Sequence, residues 1–219
     1  MHVNDLTAKP GWLMLEKFMA LIFRSLVIAL LWVSAARAGE FEDAFAAFEG
    51  KNYNLALEKF KILAEQNVEP TRQTVAQHMI GTMYSEGHGV AIDYVEAMNW
   101  LKLSAERGLA NSQFSIGNMY YKGHGSAQDY TQATRWFRLA AEQGFLPALG
   151  NLGIIYGMGQ GVEKDYVQAH KWFDLAVARG DTKSAVGRYK VASIMTPEQI
   201  SDAKRLAKEC RARNFKNCD

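Results

Sequence analysis

The landmark residues of this chain return every 36 positions. Gly81-Thr82-Met83-Tyr84 recurs as Gly117-Asn118-Met119-Tyr120 and again as Gly153-Ile154-Ile155-Tyr156. Asp93-Tyr94, Asp129-Tyr130 and Asp165-Tyr166 keep the same step, as do Trp100, Trp136 and Trp172, and Gly108, Gly144 and Gly180. A fixed period of this size constrains the fold more than any other feature. It predicts like units stacked in a row, each burying its apolar face mainly against its neighbours. Such an array presents a surface and does not require a reaction centre.

The spacing within a unit is helical. Ala97, Trp100, Leu101 and Ser104 fall at i, i+3, i+4 and i+7 and share one face. Ala133, Trp136, Phe137 and Ala140 repeat that face, as do Ala169, Trp172, Phe173 and Ala176. This phase assigns the tryptophans and tyrosines to the core rather than to a ring-stacking ligand site. Asp93 with Glu96, Asp129 with Gln132 and Asp165 with Gln168 fit capping boxes at the helix starts. Gly108, Gly144 and Gly180 stand where a C′ glycine ends a helix. The first helix of each pair is expected over residues 75–86, 111–122 and 147–158, with Gly81, Gly117 and Gly153 permitting close helix contact. Gly87-His88-Gly89, Gly123-His124-Gly125 and Gly159-Gln160-Gly161 supply the turns. Tyr53, Ala56, Phe60, Ala64 and Asn67 match Tyr94, Ala97, Leu101, Ala105 and Gly108 at the longer offset of 41, with a wider connection around Glu69-Pro70. Thr196-Pro197-Glu198-Gln199 opens a last helix whose apolar face is Ile200, Ala203, Ala207 and Cys210. The expected fold is all-α: a right-handed αα-hairpin solenoid with a C-terminal capping helix. Its segments are 1–38 (signal peptide), 39–75 (degenerate helix pair), 76–182 (three repeats), 183–214 (terminal and capping helices) and 215–219 (tail).

The first 38 residues read as an export signal. Lys17 and Arg24 precede the apolar run from Ser25 to Val33, and Ala36-Arg37-Ala38 gives the small-x-small cleavage pattern. The run is short of the roughly 20 apolar residues of a spanning helix, so membrane contact is expected only through export or an uncleaved signal. Met14 and Met19 stand as alternative starts. The whole chain has 25 basic and 23 acidic residues. Taking away the segment's four basic residues (Lys9, Lys17, Arg24, Arg37) and two acidic ones (Asp5, Glu16) leaves 21 of each. Nothing global then favours nucleic acid or an anionic membrane. Cys210 and Cys218 are the two cysteines, a count that permits a disulfide across about eight residues of the tail.

Gly-x-x-Tyr-x-x-Gly-x-Gly-Val, then Asp-Tyr-x-x-Ala-x-x-Trp, then Ala-x-x-Gly, running from Gly81 to Gly108, resembles the Sel1-like repeat, an αα-hairpin unit close in shape to the tetratricopeptide repeat. The pattern covers Ala76 to about Gly180; the third copy departs at Gln160, where the others have His. The resemblance implies a non-catalytic interaction scaffold, with a protein or peptide as partner and no cofactor. Family members serve as adaptors, often at membranes or in the bacterial envelope, which makes the periplasm of a Gram-negative bacterium, or the medium, the expected location. A cysteine-rich exported branch is linked to penicillin binding and β-lactam hydrolysis, but this chain lacks the cysteine pair in each repeat. A secreted factor acting on a host or neighbouring cell is the other alternative.

Candidates for chemistry are few. His88 and His124 come from equivalent turns of units stacked roughly 8–10 Å apart, too far to share one metal at about 2.0–2.1 Å, so no metal is expected. Ser201-Asp202-Ala203-Lys204 matches a Ser-x-x-Lys motif, but no Lys-Thr-Gly or Ser-Asp-Asn partner accompanies it. The positions off the buried stripe of the first helices are His78, Thr82, Glu86, Asn111, Phe114, Asn118, Tyr121, Lys122, Gly150, Ile154 and Met158. By analogy with tetratricopeptide arrays they line the concave side, and Phe114, Tyr121, Ile154 and Met158 are the expected apolar anchors for a bound segment.

Overall fold

The computed structural model describes residues 39–65 and 69–218, and the signal reading of residues 1–38 lies outside them. Every regular element among the described residues is a helix. Helix α1 covers 39–49, α2 Tyr53–Glu65, α3 Pro70–Glu86, α4 Tyr94–Glu106, α5 Ala110–Lys122, α6 Tyr130–Ala141, α7 Leu146–Met158, α8 Tyr166–Val177, α9 Thr182–Ala192 and α10 Pro197–Ala212. The hairpins α3–α4, α5–α6 and α7–α8 stack in chain order through α4 on α5 and α6 on α7, and α9 and α10 both pack on α8. This is an αα-hairpin solenoid. None of the described helices is long and apolar enough to cross a membrane.

The hairpins close because the first helix has no side chain at its crossing point. A Cβ at Gly81 would lie 2.5 Å from Leu101 Cγ, one at Gly117 2.7 Å from the Phe137 ring, and one at Gly153 2.6 Å from the Phe173 ring. The second glycine of each turn joins one unit to the one before. Gly89 and Gly161 have positive φ, and a Cβ there would lie 2.8 Å from the Tyr53 backbone and 2.5 Å from the Tyr130 backbone. Only glycine satisfies both the left-handed backbone and the close approach. The turn's middle residue stacks on the tyrosine at the same place: His88 on Tyr53 (centroids 4.5 Å, 17°) and His124 on Tyr94 (4.2 Å, 20°). These histidines are therefore joints between units, and no group of three metal-ligating side chains occurs among the described residues.

Three expectations need correction. Helix α3 starts at Pro70, not near 75: the Glu69 carboxylate accepts from Thr71 and Arg72 N–H, and Pro70 takes the first turn, so the supposed wide connection is a helix start. Asp93, Asp129 and Asp165 do cap their helices through the side chain. Their own N–H groups instead donate to the carbonyls of Tyr84, Tyr120 and Tyr156, which leaves nothing for the returning arm of a capping box. Glu96 accepts from Trp100 Nε1 instead. The two-way box forms at Thr196 and Gln199. Finally, Trp100 and Trp136 are only half-buried. Each reaches back to the apolar cluster of the preceding unit and leaves one edge in solvent. Trp172 is buried because its cluster also takes in Ala207 and Cys210 of α10.

The C-terminal end is closed by a different device. Cys210 and Cys218 form a disulfide, with Cα atoms 5.0 Å apart. The bridge folds the tail back, so the Cys218 carbonyl accepts a hydrogen bond from Lys171 Nζ. Lys171 is fully buried, its ammonium 4.4 Å from the centre of the Trp172 ring. A buried ammonium needs such partners, since taking an unpaired charge out of water is prohibitive.

Candidate functional site

The 36-residue step carries each outward position of the first helices to the next unit. Three columns result: His78, Phe114, Gly150, Val186; then Thr82, Asn118, Ile154, Lys190; then Glu86, Lys122, Met158, Ile194. Toward the N-terminus the columns are polar or occupied. His78 Nδ1 is 2.8 Å from Ser112 Oγ, and Ser112 Oγ donates to Ser104 Oγ at 2.8 Å. His78, Ser112 and Ser104 thus form one hydrogen-bonded chain. Burial holds the His78 pKa below the ordinary imidazole value. Phe114 is half-buried, its ring 5.6 Å from Phe137 and 5.3 Å from Phe145. Tyr121 donates its hydroxyl to Gln160 at 3.0 Å and sets its ring edge-on to Tyr130. His78, Phe114 and Tyr121 thus make contacts between units, and the expected anchors Phe114 and Tyr121 are half-buried there. Thr82 and Asn118 are half-buried; Glu86, Asn111 and Lys122 are exposed.

Toward the C-terminus the same columns turn apolar and open. Ile154 is 38% exposed, Met158 62%, Val186 58% and Ile194 60%. Helix propensity has no use for these side chains in water, and burial of each would return roughly 1.5–3 kcal/mol. Beside them, between α7 and α9, lies a cleft of about 690 Å3. Leu146, Pro147, Ile154 and Val186 form its apolar walls, Gly150 and Phe173 its floor, and Lys183 and Lys190 its rim.

The cleft has a cause in the repeat. At the preceding interface Phe114, Phe137 and Phe145 fill the space between α5 and α7. One step on, the equivalent residues are Gly150, Phe173 and Asp181. Two of three rings are missing. Asp181 caps α9, accepting from Lys183 N–H and from Ser184 Oγ, and its carboxylate lines the cleft beside Gly150. Phe173 remains, clamped between Gly153 and Gly187, where an added Cβ would come within 2.6 and 2.7 Å of its ring.

A second repeated contact escaped sequence reasoning. Lys61 Nζ bonds Tyr84 OH at 3.1 Å, Lys102 lies over the Tyr120 ring, and Arg138 bonds Tyr156 OH. A basic residue of each second helix thus holds the landmark tyrosine of the next first helix. At the last interface the tyrosine is replaced by Ala192 and the base by Asp174, and Asp174 pairs with Arg188 at 2.7 Å. A search for bases in phase with the tyrosines would have found it. On α10, Ser201 and Lys204 are both exposed, and Asp202 faces Arg205 at 3.4 Å.

Paired antiparallel helices in phase, with an open face on their first members, define an αα-hairpin repeat protein. The chain belongs to the Sel1-like repeat family: three consecutive Sel1 repeats match at residues 74–109, 110–145 and 146–181. Among solved structures it is similar to a protective antigen present in uropathogenic Escherichia coli strains displaying an SLR fold, with TM-score 0.67 and 27% identity. That match covers 80% of this chain and 38% of the antigen, so the chain spans well under half of that relative. It is also similar to a Sel1 repeat protein from Oxalobacter formigenes, with TM-score 0.62 and 29% identity over 80% of this chain and 69% of the other. No curated protein matches it. Sel1 repeats generally mediate protein–protein interaction, and their fold is typically a non-catalytic scaffold.

Proposed function

We propose that this chain is a non-catalytic interaction scaffold of the bacterial envelope that holds a peptide or protein segment along the concave face lined by its first helices. The observation that carries the reading is the run of exposed Ile154, Met158, Val186 and Ile194 on three consecutive columns of that face, beside an open cleft. Contiguous exposed apolar surface of this kind marks an interaction site in soluble proteins. Export is supported by Ala36-Arg37-Ala38 behind its apolar run, and by the Cys210–Cys218 bridge, which persists in oxidising compartments. The protective-antigen role of the Escherichia coli neighbour supports the same compartment.

A photo-crosslinking amino acid at Met158 tests the groove, with the same group at Arg135, exposed on a second helix, as control. In living cells the expected result is a discrete adduct from position 158 and none from 135. Equal labelling from both positions, or none from 158, overturns the reading. N-terminal sequencing of the protein from the periplasmic fraction is expected to begin at Gly39.

A further inference from the structure

We propose that the cleft between α7 and α9 receives one aromatic side chain from an acidic peptide segment of a partner protein. This deepens the scaffold reading above and rests on it.

The array supplies the shape of its own missing occupant. Phe114 and Phe145 fill the preceding interface beside Phe137, whereas Gly150 and Asp181 put no ring beside Phe173, and a cleft opens there with Ser184 Oγ and the Asp181 carboxylate at its Gly150 edge. An entering phenyl ring would take the place that Phe114 holds one unit earlier. It would meet the Phe173 ring at the floor and the Ile154 and Val186 side chains at the walls. Tilted aromatic pairs of this kind gain beyond the area they bury. At about 690 Å3 the cleft lies within the range of ligand sites and has room for the ring together with the backbone that carries it.

The rim fixes the charge of that backbone's neighbours. Lys183 and Lys190, both exposed, sit on α9 seven residues apart. Two helical turns separate them by about 10.5 Å, the reach of residues on either side of a bound side chain. Facing them, α7 (Leu146–Met158) contains no Asp, Glu, Lys, Arg or His. Asp181, which accepts from Lys183 N–H and Ser184 Oγ, keeps its negative charge in the lining, and Asp174 of α8 pairs with Arg188, so two lysines stand against one carboxylate. The rim therefore presents net positive charge, which selects carboxylates flanking the aromatic residue and repels basic ones.

Blocked Glu-Glu-Phe-Glu-Glu, Glu-Glu-Ala-Glu-Glu and Lys-Lys-Phe-Lys-Lys peptides, titrated into the purified full protein and followed by amide NMR shifts, test the proposal. The first is expected to shift Gly150, Ile154 and Gly187 and to bind at least tenfold more tightly than the other two. The Lys183→Glu/Lys190→Glu variant changes only exposed side chains and keeps the fold. It is expected to reverse the preference, weakening the acidic peptide at least tenfold and recruiting the basic one. Gly150→Phe refills the slot and is expected to abolish binding. Because its Cβ would meet Ser184 Oγ at 2.9 Å, the charge-reversed variant carries the test if Gly150→Phe does not fold. Equal binding of the Phe and Ala peptides, shifts outside the cleft, or indifference to charge reversal would each overturn the proposal. So would a dimer in sedimentation that Val186→Glu dissolves, since a second copy would then be the occupant. If Met158 crosslinking persists unchanged in the charge-reversed variant, the scaffold reading stands and this inference alone fails.

Discussion

The interface between α5 and α7 and the one between α7 and α9 are built from equivalent positions and finished differently. In the first, three phenylalanines close the space and a base holds the landmark tyrosine. In the second, glycine and a capping aspartate replace two of the rings, and an Asp174–Arg188 pair replaces the base and tyrosine. The helices still stack. What teaches is that the backbone geometry of such an array comes from its glycines and its hairpin crossings, which both interfaces share. The side chains between them are free to be spent on rigidity or on an opening. Stability and recognition are thereby placed in different copies of one design.

The largest expected effect breaks the filled interface. Phe137 is fully buried, so Phe137→Ala is expected to cost about 3–5 kcal/mol, and Phe114→Ala, at a half-buried ring, roughly half of that. Ile154→Ala in the vacated interface removes an already exposed side chain and is expected to stay within about 0.5 kcal/mol. Urea unfolding of the three variants measures this. Equal costs at positions 114 and 154 would mean that the two interfaces do not differ in the way described.

Much of the repeat was legible from residue spacing alone. The hairpins, the capping aspartates and the close-packed glycines followed from the period, because each is a local demand of the backbone that one residue type satisfies. That Phe114 and Tyr121 are half-buried between units was not legible, for a physical reason. Helical phase tells which side of a helix a residue occupies, but not whether the next helix reaches that far. Phe114 points off its own stripe and is covered by Phe145, which lies at the start of the following unit. The cleft was written in the replacement of Phe114 and Phe145 by Gly150 and Asp181, and comparing the copies position by position would have shown it. Lys171 was less legible: in sequence it is one more lysine on a helix, and only the bridged tail makes it a buried, bonded group.

The tail provides the next largest test. In the chain-entropy account a bridge closing about eight residues is worth roughly 2.5 kcal/mol. Reduction also frees the Cys218 carbonyl that receives Lys171. Reducing agent is expected to raise amide exchange in α8, α9 and α10 while leaving α3 to α5 unchanged, because each unit is held mainly by its neighbours. A uniform rise along the chain would show that the array melts as one body and that its two ends do not differ in the way they are fastened.

The smallest effect comes from two imidazoles shielded from water, the half-buried His78 toward the N-terminus and the buried His170 toward the C-terminus. His78 is held below its ordinary value of 6.5 by burial. His170 is lowered first by burial and further by Arg188 of α9 and Lys204 of α10, against an opposing pull from Asp174 on its own helix. In the unfolded chain both take up a proton near pH 6.5, and in the folded chain only at lower pH. The unfolded state therefore binds more protons in that window, and stability is full above it and falls as pH drops through 6.5 toward the folded values. Melting temperature is expected to be flat from pH 8 to 7 and to decline from pH 6.5 to 5. His78→Gln keeps a polar partner for Ser112 and is expected to make that decline shallower in the N-terminal repeats only. His170→Gln should do so at the C-terminal end. If neither variant changes the slope, the acid sensitivity comes from carboxylates and the two histidines are proton-silent packing groups. A change in both halves from either substitution would instead mean that the two ends of the array unfold together.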